Sequence, residues 1–244
     1  TAMLIMIPSQ ALGSLALSSL SELGASSEKS REKALKTLTN WTFAIVFPAF
    51  LLLVRFSDQV IILLFGSQYS VAATALAILA FSNLISASVG RVGSYLKSKG
   101  HTRIILYNTL VTVVVNLALN IYLIPKYGIT GAAVATATSA ILGELLIFVE
   151  IYRYEDVTSL HPKMLRTLIS GTVSITATYL IVDNLFQVTP YWALVPAGVF
   201  FFTVHLLIFL RIGGLTEYDR EIILTLARKA GIEETVEKIV ELLT

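Results

Sequence analysis

The chain has 244 residues, of which 55% are hydrophobic and only 14% are charged, and its mean hydropathy is +0.78. Soluble domains contain about 45–50% apolar and about 25% charged residues, so this composition indicates a protein that lies in lipid. It argues against a disordered chain, a nucleic-acid-binding module and an ordinary cytosolic enzyme. The net charge is only +2, and the absence of cysteine excludes disulfides and thiolate chemistry.

Long apolar stretches follow one another along almost the whole chain. A helix needs about 20 apolar residues to cross a bilayer, whereas the strands of an outer-membrane barrel need only about 10 alternating ones. We therefore predict an all-α fold, a polytopic transmembrane helix bundle of about seven spans. The predicted spans are residues 1–22, 41–65, 70–95, 104–124, 129–150, 165–186 and 191–212.

Charged residues interrupt the second of these stretches at Arg55 and Asp58. We expect this span to end near residue 54 and residues 60–65 to lie at the outward-facing interface of the membrane. Arg55, Glu150 and Asp183 all fall near predicted helix ends, so we expect their side chains to be solvated.

The basic residues alternate from one connection to the next. One set of connections and the C-terminal tail hold almost all of them, and the other set holds only Arg55 and Lys126. The positive-inside rule then predicts a cell-membrane protein whose C-terminus is cytoplasmic and whose Thr1 faces outward. The basic set is Lys29, Arg31, Lys33, Lys36, Lys97, Lys99, Arg103, Arg153, Lys163, Arg166, Arg211, Arg220, Arg228, Lys229 and Lys238.

The two ends of the chain differ from its apolar middle. Residues 214–244 carry seven acidic and four basic side chains with apolar residues at helical spacing, which predicts a cytoplasmic amphipathic helical tail after a transmembrane part, residues 1–213. The chain begins with Thr1 and has no basic segment before its first apolar stretch, unlike a signal peptide. We expect that it is cut from a longer protein.

Residues that could perform covalent chemistry are scarce. None of the three histidines, His101, His161 and His205, has a second histidine or a carboxylate three or four residues further on. No Gly-rich phosphate loop or nucleophile elbow is present either. We therefore predict no catalytic residue, no metal site and no cofactor.

Polar residues on the first predicted helix lie on one face. Gln10, Ser14 and Ser18 are spaced four residues apart, and Pro8 leaves a backbone carbonyl without its usual partner. This pattern is typical of a helix that lines a water-filled cavity. It is equally typical of a small-residue seam that packs against a neighbouring helix.

Two charged residues lie within predicted spans, where ionised side chains are costly. Arg91 falls in the inner third of the third span and Glu144 in the inner third of the fifth. They could form a pair, or Arg91 could hold a lipid phosphate while Glu144 binds a proton or a sodium ion. Arg91 could also extend to the interface near Lys97. Glu144, with its shorter side chain, has the greater need of a protein partner.

Asn116 and Asn120 lie four residues apart on the fourth predicted span. Their amides could face the substrate path, or they could form hydrogen bonds between helices.

Three segments resemble the C-terminal half of polysaccharide flippases of the multidrug/oligosaccharidyl-lipid/polysaccharide exporter superfamily. The most extensive is Val-Asn-Leu-Ala-Leu-Asn-Ile-Tyr-Leu-Ile-Pro-Lys-Tyr-Gly-Ile-Thr-Gly-Ala-Ala-Val-Ala-Thr, residues 115–136. The second is Leu-Phe-Gly-Ser-Gln-Tyr at 64–69, followed by Ala72 and Ala73. The third is Tyr95-Leu96 followed by Lys99-Gly100 and Arg103, and the three occur in the family's order and spacing.

This resemblance implies a two-lobed carrier of 14, sometimes 12, helices that moves a lipid-linked oligosaccharide across the membrane. On that template the seven spans are the last seven helices, so an N-terminal lobe is missing. Of the predicted site residues, Gln10, Ser14 and Ser18 then map to a cavity-lining helix. The implied partners are the lipid bilayer, the lipid-linked oligosaccharide, the missing lobe and a coupling proton or sodium ion, and nucleic acid is not among them.

We therefore predict membrane transport by alternating access rather than an enzyme. One alternative is a drug/cation antiporter of the same superfamily. Another is a multi-pass membrane glycosyltransferase or polymerase, but the outward connections are short for such a site.

Overall fold

The computed structural model describes residues 28–89, 92–185 and 191–212, together with Leu224, Ala227 and Arg228 of the tail. All regular structure in these ranges is helical. The seven α-helices are α1 (Glu28–Arg55), α2 (Ser57–Phe65), α3 (Ala73–Val89), α4 (Val92–Ser98), α5 (Thr102–Glu155), α6 (Met164–Leu185) and α7 (Leu194–Arg211). Two 3-10 turns, Ser67–Ala72 and Tyr191–Ala193, lead into α3 and α7.

Five of the described helices are long and apolar enough to cross a membrane, which agrees with the predicted helical bundle. Their bounds are Leu35–Arg55, Ser67–Val89, Thr102–Glu155, Met164–Leu185 and Leu194–Arg211. The predicted first span, residues 1–22, lies outside the described residues.

The 54-residue helix α5 consists of two antiparallel halves. Gly128 has φ +55° and ψ −131°, which is not helical and is accessible mainly to glycine, and Pro125 precedes it. An added Cβ on Gly131 would collide with the backbone carbonyl of Leu123, so the two halves touch directly after the turn. The fourth and fifth predicted spans are therefore confirmed as one hairpin with its turn at Gly128.

The second predicted span ends where the sequence indicated. The backbone of Phe56 has φ −120° and ψ +27°, which breaks the helix between α1 and α2. Helix α2 then leads through Gly66, whose φ is +94°, into the 3-10 turn.

Apolar clusters hold the two ends of the bundle together. At one end, Phe56 packs with Val182 of α6 and Ala197 of α7. At the other end, residues of α1, α3, α4 and α5 pack with the segment that follows α5, namely Leu35, Val89, Val92, Tyr95, Leu96, Ile151 and Val157. We call these the Arg55 end and the Glu155 end of the bundle.

Candidate functional site

A row of polar contacts runs along the inside of the α5 hairpin and links its two halves. Near the middle, the Asn116 amide donates a hydrogen bond to Ser139 Oγ at 2.9 Å across the hairpin. The Asn120 amide in turn donates to the Asn116 backbone carbonyl at 2.9 Å and to its Oδ1 at 3.0 Å. The predicted hydrogen bonding between helices is thus confirmed for Asn116, whereas Asn120 bonds within its own helix.

Glu144 lies one to two turns further toward the Glu155 end. It is partly buried, and its carboxyl group is hydrogen-bonded to the side chain of Ser86 on α3. The neighbouring Gly143 is so close to the other half of the hairpin that an added Cβ would lie 2.9 Å from Thr112 Cγ2. The lack of a side chain at Gly143 therefore lets the hairpin close tightly next to the Glu144 carboxyl group.

Two carboxylates continue the row toward the base of the hairpin. Glu150 accepts a hydrogen bond from the amide of buried Asn108 at 2.6 Å. Glu155 pairs with Lys99 Nζ at 3.0 Å and with His101 Nε2 at 2.9 Å, and its side chain is only 11% exposed. These contacts fasten the two halves to each other and to the turn after α4.

The structure corrects the expectation that charged groups near helix ends are simply solvated. Asp183 is exposed, as expected. Glu150 instead accepts the Asn108 hydrogen bond, and Arg55 packs on aromatic rings with its Nε atom buried. Both expectations were wrong because the partners, Asn108 and Tyr179, are 42 and more than 100 positions away in the sequence, so local spacing carries no signal for them.

Four of the seven predicted site residues, Gln10, Ser14, Ser18 and Arg91, lie outside the described residues. The proposed contact between Arg91 and Glu144 thus stays a prediction. The other three, Asn116, Asn120 and Glu144, all belong to the polar row of the hairpin.

His205 of α7 is a buried polar residue, and the sequence alone indicates no role for it. The residue is 6% exposed, and its ring stacks between Phe201 and Phe209, with centroids 6.0 Å and 6.1 Å away. It is hydrogen-bonded to the backbone of Ser170 on α6, while its Nδ1 atom has no partner in the described part of the chain. A single histidine among apolar residues of one helix does not indicate which backbone group of another helix it will contact.

The polar row can bind hydrogen-bonding or cationic groups, but it lacks the composition of a metal site. No group of three or more His, Cys, Asp or Glu side chains comes together within the described ranges. The chemistry available there is hydrogen bonding by amides, hydroxyls and partly buried carboxylates.

Comparison with known proteins agrees with this helical architecture. The family model described as lipid II flippase MurJ matches residues 2–206. The probable low-salt glycan biosynthesis flippase Agl15 of Haloferax volcanii is 32% identical over 142 residues, which is 58% of this chain and 30% of that protein.

A solved structure of lipid II flippase MurJ in its inward closed conformation has the same fold. It superposes with a TM-score of 0.66 at 16% identity, over 80% of this chain and 41% of that chain. The chain thus spans less than half the length of either relative. Since the family model covers most of its residues, the chain belongs to the MurJ family of lipid II flippases.

Proposed function

We propose that this chain forms the C-terminal part of a carrier that flips a lipid-linked oligosaccharide across the cell membrane by alternating access. The match of residues 2–206 to the MurJ family carries the proposal. The likeness to Agl15, a probable glycan biosynthesis flippase, supports an oligosaccharide as the cargo. The comparisons lend no support to a drug/cation antiporter or to a membrane glycosyltransferase.

A second lobe belongs to this proposal. Alternating access needs two bodies that move against each other around a site near the middle of the membrane. The chain matches only 30% of Agl15 and 41% of the MurJ chain, so most of each of those proteins lies outside the matched part. The bundle described above would be one of the two bodies, and Gln10, Ser14 and Ser18 would line the cavity between them.

The proposed orientation puts the Glu155 end in the cytoplasm. Eleven of the basic residues in the ranges 28–89, 92–185 and 191–212 belong to the Glu155 end, and only Arg55 and Lys126 belong to the other. Cytoplasmic connections carry the excess of Lys and Arg, which supports a cytoplasmic C-terminus. The eleven are Lys29, Arg31, Lys33, Lys36, Lys97, Lys99, Arg103, Arg153, Lys163, Arg166 and Arg211.

We propose that Glu144 in the complete carrier either binds the coupling proton or sodium ion or neutralises Arg91. A carboxyl group within a span is stable when ionised only beside a cationic side chain or a bound metal ion, and otherwise it takes up a proton. Glu144 is hydrogen-bonded to the Ser86 side chain, and a neutral hydroxyl does not balance a charge. Asn116 and Asn120 lie on the same hairpin and would contribute amide groups along the substrate path.

The division at residue 213 is part of the same proposal. The tail, residues 214–244, has four basic and seven acidic side chains and thus a net charge of −3. It therefore has little attraction to an anionic membrane surface. A complete carrier truncated after Gly213 should therefore still insert with the same topology. Failure of the truncated protein to insert would show that the tail is part of the transmembrane unit.

The direct test is to delete the complete gene from its host and analyse the lipid extract by mass spectrometry. A flippase deletion should cause a lipid-linked oligosaccharide to accumulate in a form that impermeant reagents cannot reach in intact cells. Normal levels of this intermediate with altered drug or cation sensitivity would instead favour the antiporter. Loss of the oligosaccharide itself would favour a glycosyltransferase.

A further inference from the structure

Arg55 lies at the last residue of α1 and makes an unusual set of contacts. Its guanidinium carbon is 4.6 Å from the ring centroid of Tyr179 on α6 and 5.1 Å from that of Phe56. Its Nε atom is buried and has no hydrogen-bond partner. The charged group is thus held by two aromatic rings, and its donors have no protein acceptor in the described part of the chain.

Among the described residues, no acidic side chain forms an ion pair with this guanidinium. The two nearest carboxylates along these helices, Asp58 and Asp183, are both exposed, and no described carboxylate forms an ion pair with Arg55. Residues 186–190, which follow α6 in the sequence and which the structure does not describe, contain no Asp or Glu.

Two cations at the Glu155 end are paired with carboxylates. Lys36 pairs with Glu32 at 2.6 Å, and Lys99 pairs with Glu155 at 3.0 Å. At the Arg55 end, Lys126 resembles Arg55, because its Nζ lies 3.5 Å from the centroid of the Tyr122 ring. Both of these cations contact the face of an aromatic ring, and this contact does not occupy them with an anionic group.

Lipid phosphates are the anions that are abundant at the end of a membrane span. A guanidinium presents five N–H donors in a planar fork, which binds a phosphate through two parallel hydrogen bonds. Beside Arg55, the ring of Phe56 also borders an apolar groove of about 460 Å³ between α1, α2 and α7. An anion that carries a hydrocarbon chain fits this position better than free phosphate does.

We propose that Arg55, with Tyr179 and Phe56 as its platform, binds the phosphate group of a membrane lipid at the Arg55 end of the bundle. Two lipids share this chemistry, a bilayer phospholipid and a polyprenyl phosphate such as a lipid-linked cargo would contain. Because lipid binding is the readout, the inference does not depend on the proposed flipping activity.

The experiment measures lipid binding by the purified complete carrier with native mass spectrometry in detergent. The probes are dioctanoyl phosphatidylglycerol, a polyprenyl phosphate, inorganic phosphate, and a dioctanoyl glycolipid that lacks phosphate. Arg55→Gln should weaken binding of the phosphate-containing lipids about tenfold, the size expected for one hydrogen-bonded ion pair, and leave the glycolipid unchanged. Arg55→Lys should restore only part of the lost affinity, because an ammonium group lacks the planar pair of N–H donors that a guanidinium presents to a phosphate.

Lys126→Gln is the matched control, since it removes the other cation of the same end. It should change lipid affinity less than twofold. Equal losses in Arg55→Gln and Lys126→Gln would overturn the inference, because they would indicate a general charge effect. Binding of inorganic phosphate as tight as that of the lipids would overturn the lipid assignment. Preference for one lipid over the other identifies the source of the phosphate.

A second variant separates lipid binding from an internal ion pair. Asp183 is one turn beyond Tyr179 on α6, and its charge repels a phosphate at Arg55. Asp183→Asn should therefore strengthen lipid binding and leave the thermal unfolding temperature unchanged. Lower stability with unchanged lipid binding would show that Asp183 is the real partner of Arg55, and the site would be refuted.

Discussion

The side-chain amide of Asn108 donates a hydrogen bond at 2.6 Å to the carboxylate of Glu150, across the two halves of one continuous hairpin. Asn108 is only 7% exposed, so its amide has little access to water and depends on this acceptor. The contact fixes the register of the hairpin below Glu144, where the candidate coupling site lies.

The Asn108–Glu150 pair should be energetically coupled. We expect Asn108→Ala and Glu150→Ala each to lower stability, with a coupling energy of about 0.6 kcal/mol and at most about 1.7 kcal/mol, the average and the largest value measured for hydrogen bonds between membrane helices. Chemical unfolding of the two single variants and the double variant in detergent measures this term. Strict additivity of the two single effects would show that the short contact adds nothing to stability.

Gly131 should not tolerate a side chain. Its added Cβ would collide with the Leu123 backbone, which cannot rotate away as a side chain could. Gly131→Ala should therefore cost about 1–3 kcal/mol, as overpacking generally does, and lower the thermal unfolding temperature. Gly198 is the control, because nothing lies within 4 Å of its added Cβ. If Gly198→Ala were as damaging as Gly131→Ala, the close packing of the hairpin would not be the cause.

Single cysteines can test the orientation in a complete carrier from which cysteines outside this chain are removed, because the chain itself contains none. Ser67 at the Arg55 end and Lys97 at the Glu155 end are both exposed, so either position should react once reached. In intact cells an impermeant maleimide should label Ser67→Cys in the complete carrier and spare Lys97→Cys until the membrane is permeabilised. The reverse pattern would invert the proposed topology.

Glu144→Gln in the complete carrier should reduce flipping while expression stays near normal, if the carboxylate binds the coupling ion. Glutamine keeps the volume and can still bond to Ser86, so the change removes mainly the charge. Flipping is measured by the exposure of the lipid-linked oligosaccharide in reconstituted vesicles. Ser86→Ala is the matched control, because it removes the neutral partner and keeps the charge.

The role of Glu144 in neutralising Arg91 makes a different prediction. Glu144→Gln should then destabilise the protein, and adding Arg91→Gln should restore much of the lost stability. Wild-type transport together with wild-type stability in Glu144→Gln would exclude both roles.

Local sequence determined the class of fold and most of the span boundaries. An apolar run of about 20 residues has few alternatives to a membrane helix, because lipid leaves backbone groups no partners except those within a helix. The break at Arg55-Phe56 and the turn near Gly128 are also predicted by local sequence, because charged residues, proline and glycine end membrane helices. The family resemblance of residues 115–136 also came from contiguous sequence.

Only the tertiary structure decided which polar residues meet. The bonds of Asn116 to Ser139 and of Glu144 to Ser86, and the stacking of Arg55 on Tyr179, join positions 23, 58 and 124 residues apart. Helical periodicity predicts which face a residue occupies, but it carries no information about which helix covers that face. That choice depends on how the helices pack, so the partner of each buried polar group follows from the fold rather than from spacing along the chain.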